Sequence, residues 1–305
     1  MQTEKAVGVE WPTVLLLVAS YLAWGVATTW LAGWSLPLAV LVATLTVTLH
    51  SSLQHEVLHG HPTRHSALNE AMVFLPVGFV FPYRRFRDLH LEHHRDEFLT
   101  DPYDDPESNF LDPAVWTRLP RWRRALLRFN NSLGGRMLVG PAIGALGFWA
   151  GDARRIAAGE RDVQLAWALH LAGMVPLVWW LWTDAMPGWA YAIAAYAGLS
   201  ILKVRTFLEH RAHERARGRS VVIEQQGILS FLFLNNSFHA VHHCKPGVAW
   251  YRLPAIYREH REDFLRRNDG YTFTSYGEVF RRYFLRAKDP VPHPLWPKGG
   301  GRDTA

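Results

Sequence analysis

The chain has 305 residues and is 49% hydrophobic, with 14 Trp and 16 His, yet its mean hydropathy is only −0.07, so apolar spans must alternate with large polar segments. The formal net charge of +6 comes from Arg residues beside apolar runs, a distribution that suits membrane-flanking loops and argues against a nucleic-acid partner. A lone cysteine, Cys244, excludes an internal disulfide and a cysteine-based zinc site.

Met1 to Glu10 is mixed in charge, and the apolar run behind it is too long for a cleaved signal core, so the first span is expected to be a retained signal anchor. Four stretches have transmembrane length and polarity: Trp11 to Ala32, Leu36 to Ser52, Leu165 to Thr183 and Trp189 to Lys203. The second is expected to continue past Ser52 as a helix projecting from the bilayer. Gly33 to Ser35 and Asp184 to Gly188 are short links, which makes two helical hairpins with both turns on one side. Two further apolar stretches, Ala71 to Pro82 and Leu133 to Ala150, are interrupted by Pro76 and by glycines with Pro141. Both are expected to be interfacial or re-entrant helices.

Arginines crowd the side opposite the hairpin turns, from Arg84 to Arg161 and again from Arg205 to Arg219. The positive-inside rule then puts both termini and the large polar segments in the cytoplasm. Tryptophans at 11, 30, 34, 179, 180, 182 and 189 fit an interfacial belt. The expected fold is an all-α integral membrane protein, four transmembrane helices in two hairpins plus a cytoplasmic helical cap. One domain would occupy 1–287, and the Pro- and Gly-rich 288–305 would be a disordered tail.

Histidines form three clusters: His55-Glu56-Val57-Leu58-His59, then His90-Leu91-Glu92-His93-His94, then His239-Ala240-Val241-His242-His243. Spacings of three and four put imidazoles on one helical face, and an adjacent pair lets one short helix reach two metals. The first cluster alone also satisfies His-Glu-x-x-His, with Glu56 as the general base of a zinc protease. A catalytic zinc takes three protein ligands, so that reading, like a histidine-rich metal carrier, leaves the two further clusters unexplained. Imidazole suits iron as well as zinc, and eight such histidines approach what two metals need.

These three boxes, the paired spans and the ending Pro246-Gly247-Val248-Ala249-Trp250-Tyr251-Arg252-Leu253-Pro254 resemble the membrane fatty acid desaturase and hydroxylase superfamily from about residue 15 to residue 260. The resemblance implies a cytosolic di-iron centre held mainly by histidines, with O2 as co-substrate and electrons from a separate ferredoxin- or cytochrome-type donor. It implies C–H oxidation of a hydrophobic substrate, foremost acyl-lipid desaturation, with hydroxylation or ketolation of a lipid, terpenoid or small metabolite on the same site as the alternative. Members often add a ligand just beyond the fourth span, where His210 is the candidate, ahead of His213 and Glu209. Glu56, Glu92, Asp96 and Glu209 are candidates to orient ligand imidazoles, as are Asn235 and Asn236 before the third box.

The other histidines carry plainer expectations. His170, mid-span, should bond to a neighbouring helix; His50 could touch the site; His61 and His65 have small chances of a site role; His260 and His293 should be surface residues. Asp101 to Glu107 is expected to be a solvated acidic loop, with only Asp101 near the ligands. The cations of Tyr83 to Arg87 could meet lipid phosphates or an acidic substrate group.

Overall fold

The computed structural model describes residues 8–183 and 186–296, and at Asp96 only the backbone. The expected helical architecture is present, with two strands of two residues each among the described residues. Helix α1 (Trp11–Val26) passes through a π-helical turn, Ala27–Leu31, into a last turn ending at Trp34. Ser35, in extended conformation, and a proline in the next first turn break the chain there, and α2 (Leu36–Leu58) follows. As expected, α2 runs past Ser52, carrying His55 in its last turn.

The segment after α2 departs from expectation. Only α3 (Ser66–Met72) is helical, and Val73–Pro82 is irregular because Pro76 and Pro82 cannot donate to a helical ladder. Three helices instead cap its backbone. Tyr191 Oη donates to the Val77 carbonyl (2.7 Å), His170 Nε2 to Phe79 (2.8 Å) and Trp149 Nε1 to Val80 (3.0 Å). Irregular backbone survives among apolar helices only where its polar groups are satisfied in this way. His170 thus bonds to this segment rather than to a neighbouring helix.

Helix α4 (Tyr83–His93) carries the second box, and α5 (Pro113–Arg118) and α6 (Arg121–Asn130) follow the acidic loop. Of the cations of Tyr83 to Arg87, Arg85 turns inward and forks onto buried Asp152 (2.9 Å), while Arg84 and Arg87, both partly exposed, pair with Glu70 and Asp88. Helix α7 (Leu133–Ala157) is continuous: Ser132 caps it by accepting from Gly135 N, and the helix carries on through Pro141. The Tyr196 hydroxyl donates to the nearby Leu138 carbonyl (2.5 Å), adding a bond where the proline loosens the ladder.

Helices α8 (Arg161–Thr183) and α9 (Gly188–Thr206) follow, with α9 packed against α2 and α7; Asp184 and Ala185, at the expected turn, lie outside the described residues. Among the described residues three helices are long and apolar enough to cross a membrane: Trp11–Trp34, Leu36–Leu58 and Arg161–Thr183. On α1, Trp11, Leu15, Val18, Leu22, Val26 and Trp30 are all exposed and recur every three or four residues. That continuous apolar stripe has the spacing of a lipid-facing helix side. The opposite side packs inward, where Trp24 Nε1 donates to Tyr191 Oη (2.8 Å).

Helix α9 lies against α2 with almost no space between them. A Cβ at Gly198 would come within 2.7 Å of Val47 Cγ1 and 3.1 Å of the Thr44 carbonyl. The contact is possible only with glycine there. Thr44, Thr48 and Ser52 return their hydroxyls to carbonyls of their own helix, which hides polar atoms along the packed face.

The remaining chain makes the cap of the site: α10 (Ile228–Leu232), α11 (His239–Cys244), α12 (Leu253–Glu259), α13 (Arg261–Arg267) and α14 (Tyr276–Tyr283). Strands β1 (Val222–Ile223) and β2 (Thr272–Phe273) pair in parallel between them. The segment expected to be disordered from Lys288 is packed as far as it is described, to Trp296. Leu111 N donates to the Val291 carbonyl (2.9 Å), and His293 N donates to Leu111 (2.8 Å). His293 is accordingly buried rather than a surface residue. Prolines prevent helix there but not pairing with one extended neighbour.

Candidate metal centre

Four pieces of chain bring the three boxes together. Gly60, at φ +97°, ends α2 just beyond His59, with its N–H on the Val57 carbonyl. His90 and His93 sit on α4, with His94 as its cap. Leu234 and Asn235, both at positive φ, bend the chain into α11 and the third box. The stretch after α9 is clamped to the β1 region by Val221 N on the Glu209 carbonyl (3.1 Å), and Ala240 N in turn donates to the Val221 carbonyl (2.9 Å). These bonds tie His210 to α11.

All nine expected histidines converge, in two groups: His55, His59, His90, His94 and His242; and His93, His210, His239 and His243. Both adjacent pairs divide between the groups. His94 and His242 serve the first, His93 and His243 the second. The groups adjoin where the His94 and His243 rings stack, 4.3 Å between centroids. His213, the rival of His210, lies elsewhere, with Nε2 3.2 Å from Asp269.

Within each group the Nε2 atoms face one another. His210 Nε2 is 2.9 Å from His93 Nε2 and 3.1 Å from His239 Nε2, and His94 Nε2 is 3.0 Å from His90 Nε2 and 3.1 Å from His242 Nε2. Several Nδ1 atoms are already engaged outward. His93 Nδ1 donates to Asp105 (2.8 Å), His90 Nδ1 to Glu107 (2.8 Å), His239 Nδ1 to Asn236 Oδ1 (3.1 Å), and His210 Nδ1 faces Ser220 Oγ (3.3 Å). An imidazole protonated at Nδ1 presents a lone pair at Nε2, so lone pairs converge on one point in each group. The buried Nε2 atoms of His55 and His59 have no hydrogen-bond partner among the described residues. Converging lone pairs are satisfied by a cation, and the all-imidazole donor set fits a first-row transition metal at each point.

Electrostatics agree. Burial first, then neighbouring imidazoles, push His59, His94, His210, His239 and His242 well below the usual histidine range, so they are neutral and ready to ligate. His93 differs. Burial pulls it down, but the Glu107 and Asp105 carboxylates outweigh burial and hold it up at about 9, so a metal bound at its Nε2 has to displace a proton first. Burial raises Glu107, but His90 and His93 outweigh that and hold its carboxyl well below the usual carboxylate range.

The orienting residues partly match expectation. Asn236 bonds His239 and donates to Glu209 (2.9 Å), which also pairs with Arg205 (3.0 Å). Glu56 instead accepts from Trp250 N (3.0 Å) and lies 3.9 Å from His61, which pairs with Glu10 (2.7 Å). A protease base would have to face the metal, and Glu56 is engaged elsewhere. Glu92 is exposed, and Asn235 donates to the Trp250 carbonyl; neither meets a box histidine. The Asp96 side chain lies outside the described residues. His50 bonds Tyr21 Oη (3.0 Å) rather than either histidine group.

Asp105 and Glu107 were missed because their loop reads as solvated. Asp101 is buried and accepts from Tyr103 N (2.9 Å) and Asp104 N (3.1 Å), a turn that folds the loop back over α4. The available signal was a set of carboxylates 12 and 17 residues beyond the histidines they hold, punctuated by Pro102 and Pro106. Lys288 was also missed; its Nζ donates to the His210 carbonyl (2.5 Å).

A cavity of about 350 Å3 opens beside the centre, walled by α2, the Val73–Pro82 segment, α7 and α9, with Glu107 in its lining. Among curated proteins none matches the chain. The family description "Fatty acid desaturase" matches residues 28–275, a range that takes in every histidine of both groups. The chain therefore belongs to the fatty acid desaturase family, and it is an oxidoreductase of desaturase/hydroxylase type.

Proposed function

We propose that this protein is a multi-pass membrane oxidase that binds two irons through the nine histidines and desaturates an acyl lipid. The observation that carries the reading is the pair of imidazole groups with inward lone pairs. Iron bound there supplies O2 activation, using electrons from a separate ferredoxin- or cytochrome-type donor. The protein's own residues do the positioning. Asp105, Glu107 and Asn236 fix the ring orientation of His93, His90 and His239, and leave each Nε2 free to bind metal. The cavity orients a chain-like substrate beside Glu107 and keeps bulk water from the reacting carbon.

In this reading α1, α2, α8 and α9 cross the bilayer as two hairpins. The positive-inside distribution supports a cytoplasmic side for the histidines and both termini. The test is purified protein with a reducing system, followed by metal analysis and product mass spectrometry. About two irons per chain and a product two hydrogens lighter are expected. A product heavier by one oxygen makes the protein a hydroxylase, and a single zinc without O2 consumption sinks the reading. Replacing His93, His94 or His242 by Ala should abolish turnover; full activity in any one refutes that ligand.

A further inference from the structure

We propose that the cavity beside the histidine groups holds its substrate by a carboxylate seated on Lys203. The proposal rests on the oxidase reading for what happens to the substrate, not for its binding, and it replaces the esterified acyl lipid of that reading with a free acid. Lys203 lies in the last turn of α9 and lines the cavity. The other strong cation of the lining, Arg205, is paired with Glu209 at 3.0 Å. Lys203 has no carboxylate within ion-pair distance among the described residues. The carboxylates whose charge acts on it, Glu107 and Glu209, are already committed to His90 and Arg205.

On α7, Gly144 sits against the ammonium: a Cβ there would be in contact with Nζ at 3.5 Å, so bare helix backbone borders the charge where both line the cavity. Elsewhere the walls are apolar, with Phe79, Phe81, Phe148 and Leu199 among them. An unpaired cation kept among apolar walls is costly unless a ligand of opposite charge meets it. One ammonium matches one negative charge. A phosphate dianion would remain half compensated, and a neutral ester would offer an acceptor without the charge. The fitting ligand is a free acid whose chain lies along the aromatic walls.

The test is displacement of a fluorescent polyene fatty acid from the iron-loaded protein in nonionic detergent. Competitors are an acid, its methyl ester and the alkyl phosphate of equal chain length. The wild type should bind the acid at least about tenfold better than the ester. Lys203→Gln should abolish that preference at unchanged iron content, and Lys203→Arg should keep it. Equal affinity for acid and ester in the wild type overturns the proposal, as does a preference that survives in Lys203→Gln. Tighter binding of the alkyl phosphate overturns the carboxylate assignment. Turnover is scored separately. Acid-selective binding with no oxidised product refutes the oxidase reading and leaves the subsite standing.

Discussion

Glu107 belongs to two places at once: its Oε1 accepts from His90 Nδ1 at 2.8 Å, and its side chain forms part of the cavity wall. The residue that fixes a metal-facing imidazole also borders the substrate. Glu107→Ala should weaken iron binding at the first group about 10–100-fold, the usual effect of losing such a partner. Glu107→Gln keeps an acceptor and should fall between Ala and wild type. Iron per chain after dialysis against a graded chelator reads this; identical retention in all three would refute the role.

His210 and His213 are three residues apart and easily confused in sequence. His210→Ala should cost iron from the second group, whereas His213→Ala, which loses contacts with Asp269 and the Arg215 backbone, should retain full iron content. Metal analysis of both variants decides, and a reversed result would exchange the assignments.

The Tyr191 hydroxyl joins three parts of the fold, accepting from Trp24 and donating to the Val77 carbonyl. Tyr191→Phe leaves a buried N–H and a buried carbonyl short of a partner, at a cost of about 1–3 kcal/mol for each group so stranded. A lower unfolding midpoint in detergent is expected; an unchanged one would mean that water or lipid replaces the hydroxyl.

Gly198→Ala should be destabilising by about 1–3 kcal/mol, because the added methyl meets Val47 and the Thr44 carbonyl across the α2–α9 contact. Gly147→Ala on α7 has nothing within 4 Å of the new atom and should be neutral or mildly stabilising. The same thermal assay separates them, and equal effects would contradict the close approach.

The histidine boxes were legible because spacing along a helix is a local property: i, i+3 and i+4 determine which rings can meet. His210 was legible only through the family resemblance, since nothing local distinguishes it from His213. The orienting carboxylates were harder. Asp105 and Glu107 reach their histidines through a folded loop, and loop conformation depends on tertiary packing that composition does not encode. Helix breakers misled in both directions. Pro141 is accommodated inside α7, whereas Pro76 and Pro82 hold Val73–Pro82 out of helix, with side chains from three helices completing its hydrogen bonds. Lys288 and the paired stretch behind it were hidden by a Pro- and Gly-rich composition that only looks unstructured.

The division of His93 from His94, and of His242 from His243, has a consequence for assembly. Each of two short helical segments presents neighbouring rings to different groups, so neither segment can turn to improve one group without disturbing the other. A first ion that fixes α4 and α11 therefore also pre-arranges rings for the second, and lowers the entropic cost of its capture. Loading should be cooperative. Titration of the apoprotein with ferrous iron should pass directly from empty to doubly filled chains, with few singly filled ones between.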